Sequence, residues 1–345
     1  MFIPLILPIY YILLWKSNDK VLFYVGLVFL VLLSSFRAFS VGVDTTGYMQ
    51  SFRFAQSANL DYVWNAKEPI YYTIEYLTIR WGASYRVMMI IQTLLFLTPL
   101  TIGVNRIKEK PIAILALVVL LGFFYASLNV TRQMIAVSFC FLGYVLLEEK
   151  KYVQSIIMLL IAVGFHTTAT LAIIIFVLPF INLGRIWVMI IILVSYAIPM
   201  VLDVSKYVTE MTYNLSLLDS FNSFNSFTYY LEDEFDEVGR LPIYNTIRSG
   251  IFIYAAFNYQ KKDKKTDLFY KISLVAVIVH NLLYGAPSYV TRIVFYFDIA
   301  FIVFFIKWSK GNVVATSLTI FYAVLYYFHQ YIILKHDGVI PFDLL

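Results

Sequence analysis

The residues best suited to chemistry in this sequence are arginines at the ends of apolar segments, next to amide side chains. Arg132 and Gln133 follow Asn129 by three and four residues, so a helix would present all three on one face. An arginine close to hydrocarbon is costly unless an anion neutralises it. Its planar guanidinium fits phosphate or carboxylate oxygens. The pattern indicates a contact with a ligand phosphate, and an interfacial arginine that caps the turn is the alternative.

Further arginines lie near carboxylates in the sequence. Arg37 and Asp44 bracket the exit from an apolar segment, where a structural ion pair is as plausible as a binding site. Arg292 starts another apolar segment, and Asp298 lies six residues further along it. A carboxylate inside a membrane is a functional candidate, but pairing with a neighbouring helix would also account for it. Arg248, in a third apolar segment, joins the candidates for substrate binding.

Two residues could transfer a proton or serve a structural purpose. His166 ends an apolar segment, and histidine titrates near neutral pH, so it could act as a general acid or base. A hydrogen-bonded packing residue is the alternative. Glu68 precedes Pro69, where a carboxylate could equally favour the N-terminus of the helix that follows.

The sequence indicates no cofactor and no metal. It has no P-loop, GxGxxG, HExxH or CxxC pattern, and its loops are too short for a nucleotide-binding domain, which excludes an ATP-driven transporter. The acidic run 232–237 could bind a divalent cation, but contiguous acids usually form a solvated loop. The net charge of +5 comes from basic residues in short loops, so it does not predict binding to nucleic acid.

Composition sets the class of protein. Of 345 residues, 61% are hydrophobic and 14% are charged, against roughly 25% charged in soluble proteins. A bilayer core about 30 Å thick needs about 20 apolar residues per helical crossing, and such runs recur along the chain. We therefore expect an all-α integral membrane protein, a single polytopic domain over 1–345 with about twelve transmembrane helices. The expected spans are 2–15, 21–36, 86–104, 111–128, 133–147, 153–165, 168–182, 186–202, 243–257, 268–284, 293–306 and 313–333.

The basic residues divide the connections into two sides. One side has short loops rich in lysine, such as 106–110, 148–151 and 258–267, and the positive-inside rule makes it cytoplasmic. The other side holds the long segments 37–85 and 203–242, together with most of the arginines. We therefore expect the chemistry at the outer membrane face. Within the first long segment, apolar residues recur at helical spacing over Ile70 to Trp81, which predicts an amphipathic helix in the membrane interface.

The candidate residues belong to motifs that resemble those of a known family. In chain order the motifs are Arg37 to Asp44, Glu68 to Tyr72, Asn129 to Gln133, Phe165 to Ala169, Arg292 with Ile293, and Ile340 to Phe342. Their order and spacing resemble the EpsG-like branch of the Wzy-type bacterial polysaccharide polymerases, over nearly the full chain. Thr168 and Phe342 are mild departures, since the family pattern usually has serine and tyrosine there.

The resemblance implies a GT-C-like membrane glycosyltransferase in the bacterial cytoplasmic (inner) membrane, with its active site facing the periplasm or exterior. It would transfer a growing glycan from undecaprenyl pyrophosphate onto the next lipid-linked repeat unit. The product would be the O-antigen of lipopolysaccharide, a capsule or an exopolysaccharide. The implied partners are undecaprenyl-pyrophosphate-linked oligosaccharides, the lipid bilayer, and a chain-length regulator and flippase of the same pathway.

The resemblance also implies roles for the arginines and amides. Arg132, Arg292 and Arg37 would clamp the donor pyrophosphate and stabilise the charge of the leaving group. Neither Arg132 nor Arg292 has an obvious counter-ion close in sequence, and a bound pyrophosphate would supply one. Asn129 and Gln133 would orient oxygens of the sugar or phosphate.

The acceptor hydroxyl would need a general base, for which His166 is the first candidate and Asp44 and Glu68 are rivals. Two other classes stay open. A flippase of lipid-linked oligosaccharides would place its arginines along a cavity at the membrane midplane. A membrane O-acyltransferase that modifies a surface polysaccharide would place its histidine in a funnel open to the cytoplasm. The depth and side of these residues distinguish the three classes.

The lysine and arginine bias predicts that residue 263 is cytoplasmic and residue 220 extracytoplasmic. Single cysteines at these positions, in a chain whose Cys140 is replaced, can be treated with an impermeant maleimide on intact cells. Labelling should reach position 220 and not 263. The reverse pattern would invert the membrane topology and remove the site from the outer face.

Overall fold

The computed structural model describes residues 8–10, 12–15, 17–107, 109–202, 207, 243–259, 267–286, 288–340 and 342–344. Every regular element in these ranges is helical, which confirms the all-α prediction. The acidic run 232–237 and positions 220 and 263 lie outside the described residues, so the expectations about them stay predictions.

The α-helices are numbered here in chain order. They are α1 (Lys20–Phe36), α2 (Thr45–Ala55), α3 (Asp61–Trp64), α4 (Pro69–Arg80), α5 (Tyr85–Ile107), α6 (Pro111–Leu120), α7 (Phe123–Asn129), α8 (Thr131–Glu148), α9 (Tyr152–Phe165), α10 (Arg185–Val201), α11 (Ile243–Asn258), α12 (Leu268–Leu282), α13 (Ser288–Thr291), α14 (Phe295–Asp298), α15 (Ala300–Ser309) and α16 (Val313–Tyr327). Short 3₁₀ helices cover Thr167–Phe176, Leu178–Phe180, Arg292–Val294 and His336–Gly338, and a π-helix covers Phe328–Ile333.

The described chain divides into two compact units. The first unit comprises Met1–Val177 and Ile299–Leu345, and the second comprises Leu178–Asp298. Helices α10 to α14 belong to the second unit and the others to the first. The expectation that the whole chain forms a single membrane domain stays a prediction.

Most predicted spans coincide with helices, but their number is not confirmed. Among the described residues, α5 is the one continuous helix long and apolar enough to cross a membrane. The pair α6 and α7 passes the same criteria together, with a bend of 52° between them. Other apolar helices of this part of the chain, among them α1, α9, α10 and α12, are shorter than 18 residues. The apolar runs of the sequence have the length of full spans because they continue through breaks in the α-helices. One such break is the long 3₁₀ helix that replaces an α-helix after His166.

The helix boundaries follow ordinary local chemistry. Asp19 caps α1 by accepting a hydrogen bond from the Val21 backbone N–H at 2.7 Å. Proline occupies the first turn of both α4 and α6, where a missing N–H costs nothing. Asp267 caps α12 through the Tyr270 backbone N–H at 3.2 Å.

The lysine-rich loops of the first unit lie together at one end of it. Arg106 at the end of α5 contacts Glu149 at 2.9 Å, and Lys310 after α15 contacts Glu109 at 2.7 Å. Lys307 in α15 pairs with Glu148 in α8. Ion pairs between separate loops bring these loops to one side, as the sidedness argument requires. That this side is cytoplasmic stays a prediction.

The segment 37–45 is held between two other parts of the first unit. The Ala38 N–H donates to the Asp343 carbonyl at 2.9 Å, and the Gly42 N–H donates to the Gly338 carbonyl at 3.0 Å. Gly42 has φ +91°, and a Cβ at this position would lie 2.7 Å from the Leu128 carbonyl oxygen. Glycine is therefore required for the close approach to α7.

Helix α4 confirms the predicted helix over 70–81 and shows which of its residues are buried. Tyr71, Glu75 and Thr78 are buried, whereas Leu77 and Trp81 are 43% and 77% exposed. The aromatic and polar face packs into the protein, and the apolar face is left outside. This orientation suits a helix that lies against lipid and turns functional groups inward.

The bend between α6 and α7 is fixed by Gly122, which places Asn129 and the start of α8. Gly122 has φ +82°, its carbonyl accepts a hydrogen bond from the Tyr331 hydroxyl at 3.1 Å, and an added Cβ would clash with the Tyr331 ring. A residue with a side chain would therefore meet both backbone strain and a steric clash.

We predict that Gly122→Ala lowers the free energy of unfolding by about 3 kcal/mol, because the strain of a positive φ adds to overpacking. The matched control is Gly311→Ala, where φ is +69° but nothing lies within 4 Å of an added Cβ. That variant should lose only about 1 kcal/mol. Thermal unfolding in detergent compares the two, and equal losses would show that the Tyr331 contact does not fix the bend.

Candidate functional site

The carboxylate of Glu68 joins two of the residues singled out from the sequence. Its Oε2 accepts a hydrogen bond from Arg132 Nη1 at 2.6 Å, and its Oε1 contacts Nδ1 of His166. Glu68 precedes α4, Arg132 lies in the first turn of α8, and His166 follows α9. Three helix ends therefore meet at one carboxylate, whose side chain is only 8% exposed.

The ionisation of Glu68 determines where the proton of His166 lies. Burial alone would raise the pKa of Glu68, but the hydrogen bond from His166 and the charge of Arg132 outweigh it and hold the pKa below its ordinary value. An ionised carboxylate can only accept, so the shared proton lies on Nδ1 of His166. In the neutral imidazole Nε2 then carries a lone pair, and no hydrogen bond from the described residues occupies it. His166 is thus arranged as a base oriented by a carboxylate.

Three tyrosines surround the guanidinium of Arg132. Its Cζ lies 5.5, 5.6 and 5.7 Å from the ring centroids of Tyr48, Tyr71 and Tyr72. The Tyr72 hydroxyl also accepts a hydrogen bond from Nη1 at 2.9 Å. Rings at these distances attract a cation and fix the plane of the guanidinium. The buried Nε of Arg132 has no hydrogen-bond partner among the described residues.

The expectation that Arg132 lacks a counter-ion is wrong. Glu68, which is 64 residues earlier in the chain, neutralises it. The absence of a local acid was a valid observation about the turn, but it says nothing about residues brought in by tertiary packing. The alternative for Glu68, a carboxylate that favours the N-terminus of the following helix, stays a prediction: Glu68 directly precedes α4, and its side chain makes no capping hydrogen bond to it.

Asn129 and Arg37 contact other parts of the first unit, and their expected roles in substrate binding stay predictions. The Oδ1 of Asn129 accepts a hydrogen bond from the Asp44 backbone N–H at 2.7 Å. Arg37 is 3% exposed, and its guanidinium donates to the Ser34 carbonyl and hydroxyl at 2.9 Å and to the Leu128 carbonyl at 3.2 Å. These bonds tie the end of α1 to the end of α7. The buried Nε of Arg37 has no hydrogen-bond partner among the described residues.

Two further predicted residues of the first unit are placed but have no role assigned by their contacts. Asp44 is half-buried at the start of α2, and Gln133 is buried in the first turn of α8, next to Arg132. Their assignment as a rival base and a substrate contact stays a prediction.

In the second unit, Arg248 is buried in α11 and Arg292 forms the 3₁₀ turn before α14. Asp298, considered as a partner of Arg292, instead contacts Nε2 of His280 at 2.7 Å. The convergence of Arg292 with Arg132 is a statement about both units and stays a prediction.

Sequence reasoning missed the aromatic surroundings and a second acid. From the sequence, Tyr71 and Tyr72 are identified only as members of a family motif and not as neighbours of Arg132. Tyr72 nevertheless follows Glu68 by four residues and so shares its helical face. Glu75 is fully buried, and its Oε2 accepts a hydrogen bond from the Tyr62 hydroxyl at 2.6 Å. Burial raises the pKa of the Glu75 carboxyl above its ordinary value. Among the described residues, no group of three or more His, Cys, Asp or Glu could hold a metal ion.

We predict that Glu68→Gln destabilises the protein by about 3 kcal/mol, because it leaves a largely buried guanidinium without its anion. Glu109→Gln is the matched control, since it breaks an ion pair whose side chains are 31% and 68% exposed and should cost less than about 1 kcal/mol. Thermal unfolding in detergent measures both. A loss for Glu68→Gln as small as that of the control would mean that Glu68 is not the anion that compensates Arg132.

Comparison with known proteins identifies the family. The model of the EpsG family matches residues 20–344, which includes both units and every candidate residue above. No curated protein and no solved structure gives a significant match. Since the match extends over nearly the whole chain, the protein belongs to the EpsG family, whose members are membrane proteins of polysaccharide biosynthesis.

Proposed function

We propose that this protein is a polysaccharide polymerase that transfers a growing glycan from undecaprenyl pyrophosphate onto the next lipid-linked repeat unit at the outer face of the cytoplasmic membrane. The observation that carries the proposal is the Glu68 carboxylate shared by His166 and Arg132. It combines a base for an acceptor hydroxyl with a cation for a phosphate leaving group.

The chemistry requires one bond to form and one to break. The acceptor hydroxyl oxygen attacks the anomeric carbon of the donor sugar, and the bond from that carbon to the pyrophosphate oxygen breaks. The hydroxyl proton passes to Nε2 of His166, whose Nδ1 proton is held by Glu68. The imidazolium that forms is stabilised by the adjacent carboxylate, as in other histidine–carboxylate pairs. The lipid pyrophosphate leaves with the electron pair, so no nucleotide is consumed.

Arg132 is suited to the leaving group. The three tyrosine rings and Glu68 hold its guanidinium in place, which lowers the entropic cost of contacting an anion. A pyrophosphate carries more negative charge than one carboxylate and can compete for Nη1 or accept from the remaining donors. Charge that develops on the bridging oxygen is then stabilised by a cation already in position.

The rival classes make less use of this arrangement. A flippase of lipid-linked oligosaccharides needs to bind pyrophosphate but has no proton to transfer, so a carboxylate-oriented imidazole would be without purpose. An O-acyltransferase needs a histidine but no guanidinium for a diphosphate leaving group. The test is to incubate the purified protein in proteoliposomes with lipid-linked repeat units and no nucleotide. Lengthened glycans on the lipid carrier support the polymerase, and unchanged repeat units contradict it.

We predict that His166→Ala lowers turnover by about 10²- to 10⁴-fold, because a general base acts in the transition state. The dissociation constant for lipid-linked donor should change little, since the imidazole does not contact the donor phosphate in this proposal. His336→Ala is the control, a histidine exposed near the C-terminus. Single-turnover kinetics and donor binding separate the two effects, and a normal rate for His166→Ala would transfer the role of base to Asp44 or Glu68.

We predict that Arg132→Lys weakens donor binding by about tenfold or more, because an ammonium cannot reproduce the bidentate contacts of a guanidinium. The control is Arg53→Lys in the long segment 37–85, where the arginine is exposed. Binding of a polyprenyl pyrophosphate to protein in nanodiscs measures both. Unchanged affinity of Arg132→Lys would exclude Arg132 as a phosphate ligand.

A further inference from the structure

Glu75 is a second buried acid in α4, and the reaction proposed above gives it no role. It follows Glu68 by seven residues, about two helical turns, and its side chain is completely enclosed at 0% exposure. Its Oε2 accepts a hydrogen bond from the Tyr62 hydroxyl at 2.6 Å, and its buried Oε1 has no hydrogen-bond partner among the described residues. Because no part of the carboxyl is exposed, Glu75 does not contact substrate, and any effect on the reaction passes through its neighbours.

Stability alone does not account for a carboxyl at this position. Burying an acid with one oxygen unpaired costs more free energy than a single hydrogen bond returns. Replacement of both partners of a buried polar pair by apolar side chains of the same shape is often neutral or stabilising. A leucine at position 75 would therefore pack α4 against its neighbours at least as well, but it could not hold the Tyr62 hydroxyl in one direction.

Tyr62 lies between Glu75 and the tyrosines around Arg132. Its ring is perpendicular to the ring of Tyr72, with centroids 5.2 Å apart, and the Tyr72 hydroxyl accepts the hydrogen bond from Arg132 Nη1. An edge-to-face contact depends on the angle between the rings, so the direction of the Tyr62 ring helps to set that of Tyr72. Tyr62 lies in α3, a helix of four residues without a capping side chain, so the bond to Glu75 supplies a fixed point that this short helix lacks. The Oγ of Ser51 is farther from the same hydroxyl, at 3.3 Å, and Glu75 makes the closer contact.

The ring beside Tyr72 is fixed from another helix. Tyr71 is 1% exposed, and its hydroxyl accepts a hydrogen bond from Nε2 of Gln92 in α5 at 2.8 Å. Arg132 is thus surrounded by one tyrosine braced from α5 and one braced from α3. Loss of the brace from α3 should therefore loosen the guanidinium in part and leave its ion pair with Glu68 in place.

We propose that Glu75 is a positioning residue for the donor diphosphate, because through Tyr62 it fixes the tyrosine that orients Arg132. The proposal rests on the proposed function, from which it takes the ligand of Arg132. A guanidinium held in one orientation binds an anion with less loss of side-chain freedom than a mobile one does. Glu75 transfers no proton in this proposal, and what it supplies is an oxygen that accepts from Tyr62 rather than a charge.

The test measures binding of a polyprenyl pyrophosphate to the protein in nanodiscs. Tyr62→Phe removes the hydroxyl that Glu75 holds and keeps the ring, and Glu75→Leu removes the acceptor. Each should weaken binding by about threefold to tenfold, which corresponds to the ordering cost of one long side chain. Glu75→Gln keeps an oxygen that accepts from the Tyr62 hydroxyl and should keep the wild-type affinity.

The double variant Tyr62→Phe with Glu75→Leu separates positioning from stability. Since both polar partners are replaced, its thermal midpoint should stay close to that of the wild type. Its affinity should be as low as that of either single variant, because both changes remove the same interaction. The matched control is Tyr327→Phe, which removes the hydroxyl of a buried tyrosine that contacts the Tyr125 hydroxyl at 3.1 Å in the same unit. The control should bind the probe like the wild type.

The outcomes separate this proposal from the proposed function. Normal affinity in any folded variant that breaks the bond between Tyr62 and Glu75 overturns the positioning role, and so does a loss in Glu75→Gln as large as that in Glu75→Leu. A loss in Tyr327→Phe equal to that in Tyr62→Phe also overturns it, because the effect would then not depend on the tyrosines around Arg132. If the wild type and Tyr327→Phe alike do not bind the pyrophosphate, the proposed function fails instead.

Discussion

The arrangement of the first unit depends on one carboxylate that serves two partners. Glu68 has one oxygen on Arg132 and the other on His166, and its side chain is almost fully enclosed. An enclosed guanidinium without an anion, or an enclosed anion without donors, would cost several kilocalories per mole. Glu68 satisfies both needs at once, so the ends of α4, α8 and α9 are held where a cation and a base lie on either side of one acid.

The surrounding elements make this meeting possible. Gly164 lets α9 approach α4 closely, because any larger side chain would clash with Ile70. The inward face of α4 is aromatic and polar, so Tyr71 and Tyr72 reach Arg132 while Leu77 and Trp81 stay exposed. Close packing between these helices therefore sets the geometry of the described site.

The sequence was a good guide to elements and a poor guide to partners. Runs of apolar residues located most of the helices to within a few residues, and Pro69 marked the start of α4. His166 and Arg132 could be named from their types and positions. Their link could not, because Glu68 is 98 and 64 residues away from them, and no local pattern reports a contact of that kind. The contacts of Arg37 with Ser34 and Leu128 were equally beyond reach of the sequence, because Leu128 is 91 residues away.

The central claim is that an ionised Glu68 holds the proton of His166 on Nδ1 and leaves the Nε2 lone pair free. Nitrogen-15 NMR of histidine-labelled protein in bilayers tests this directly, with the His166 signal assigned by its loss in His166→Asn. The account predicts that the neutral form of the His166 imidazole carries its proton on Nδ1, and that Glu68→Gln removes that preference. A His166 protonated on Nε2 alone, or a tautomer unaffected by Glu68→Gln, would contradict it.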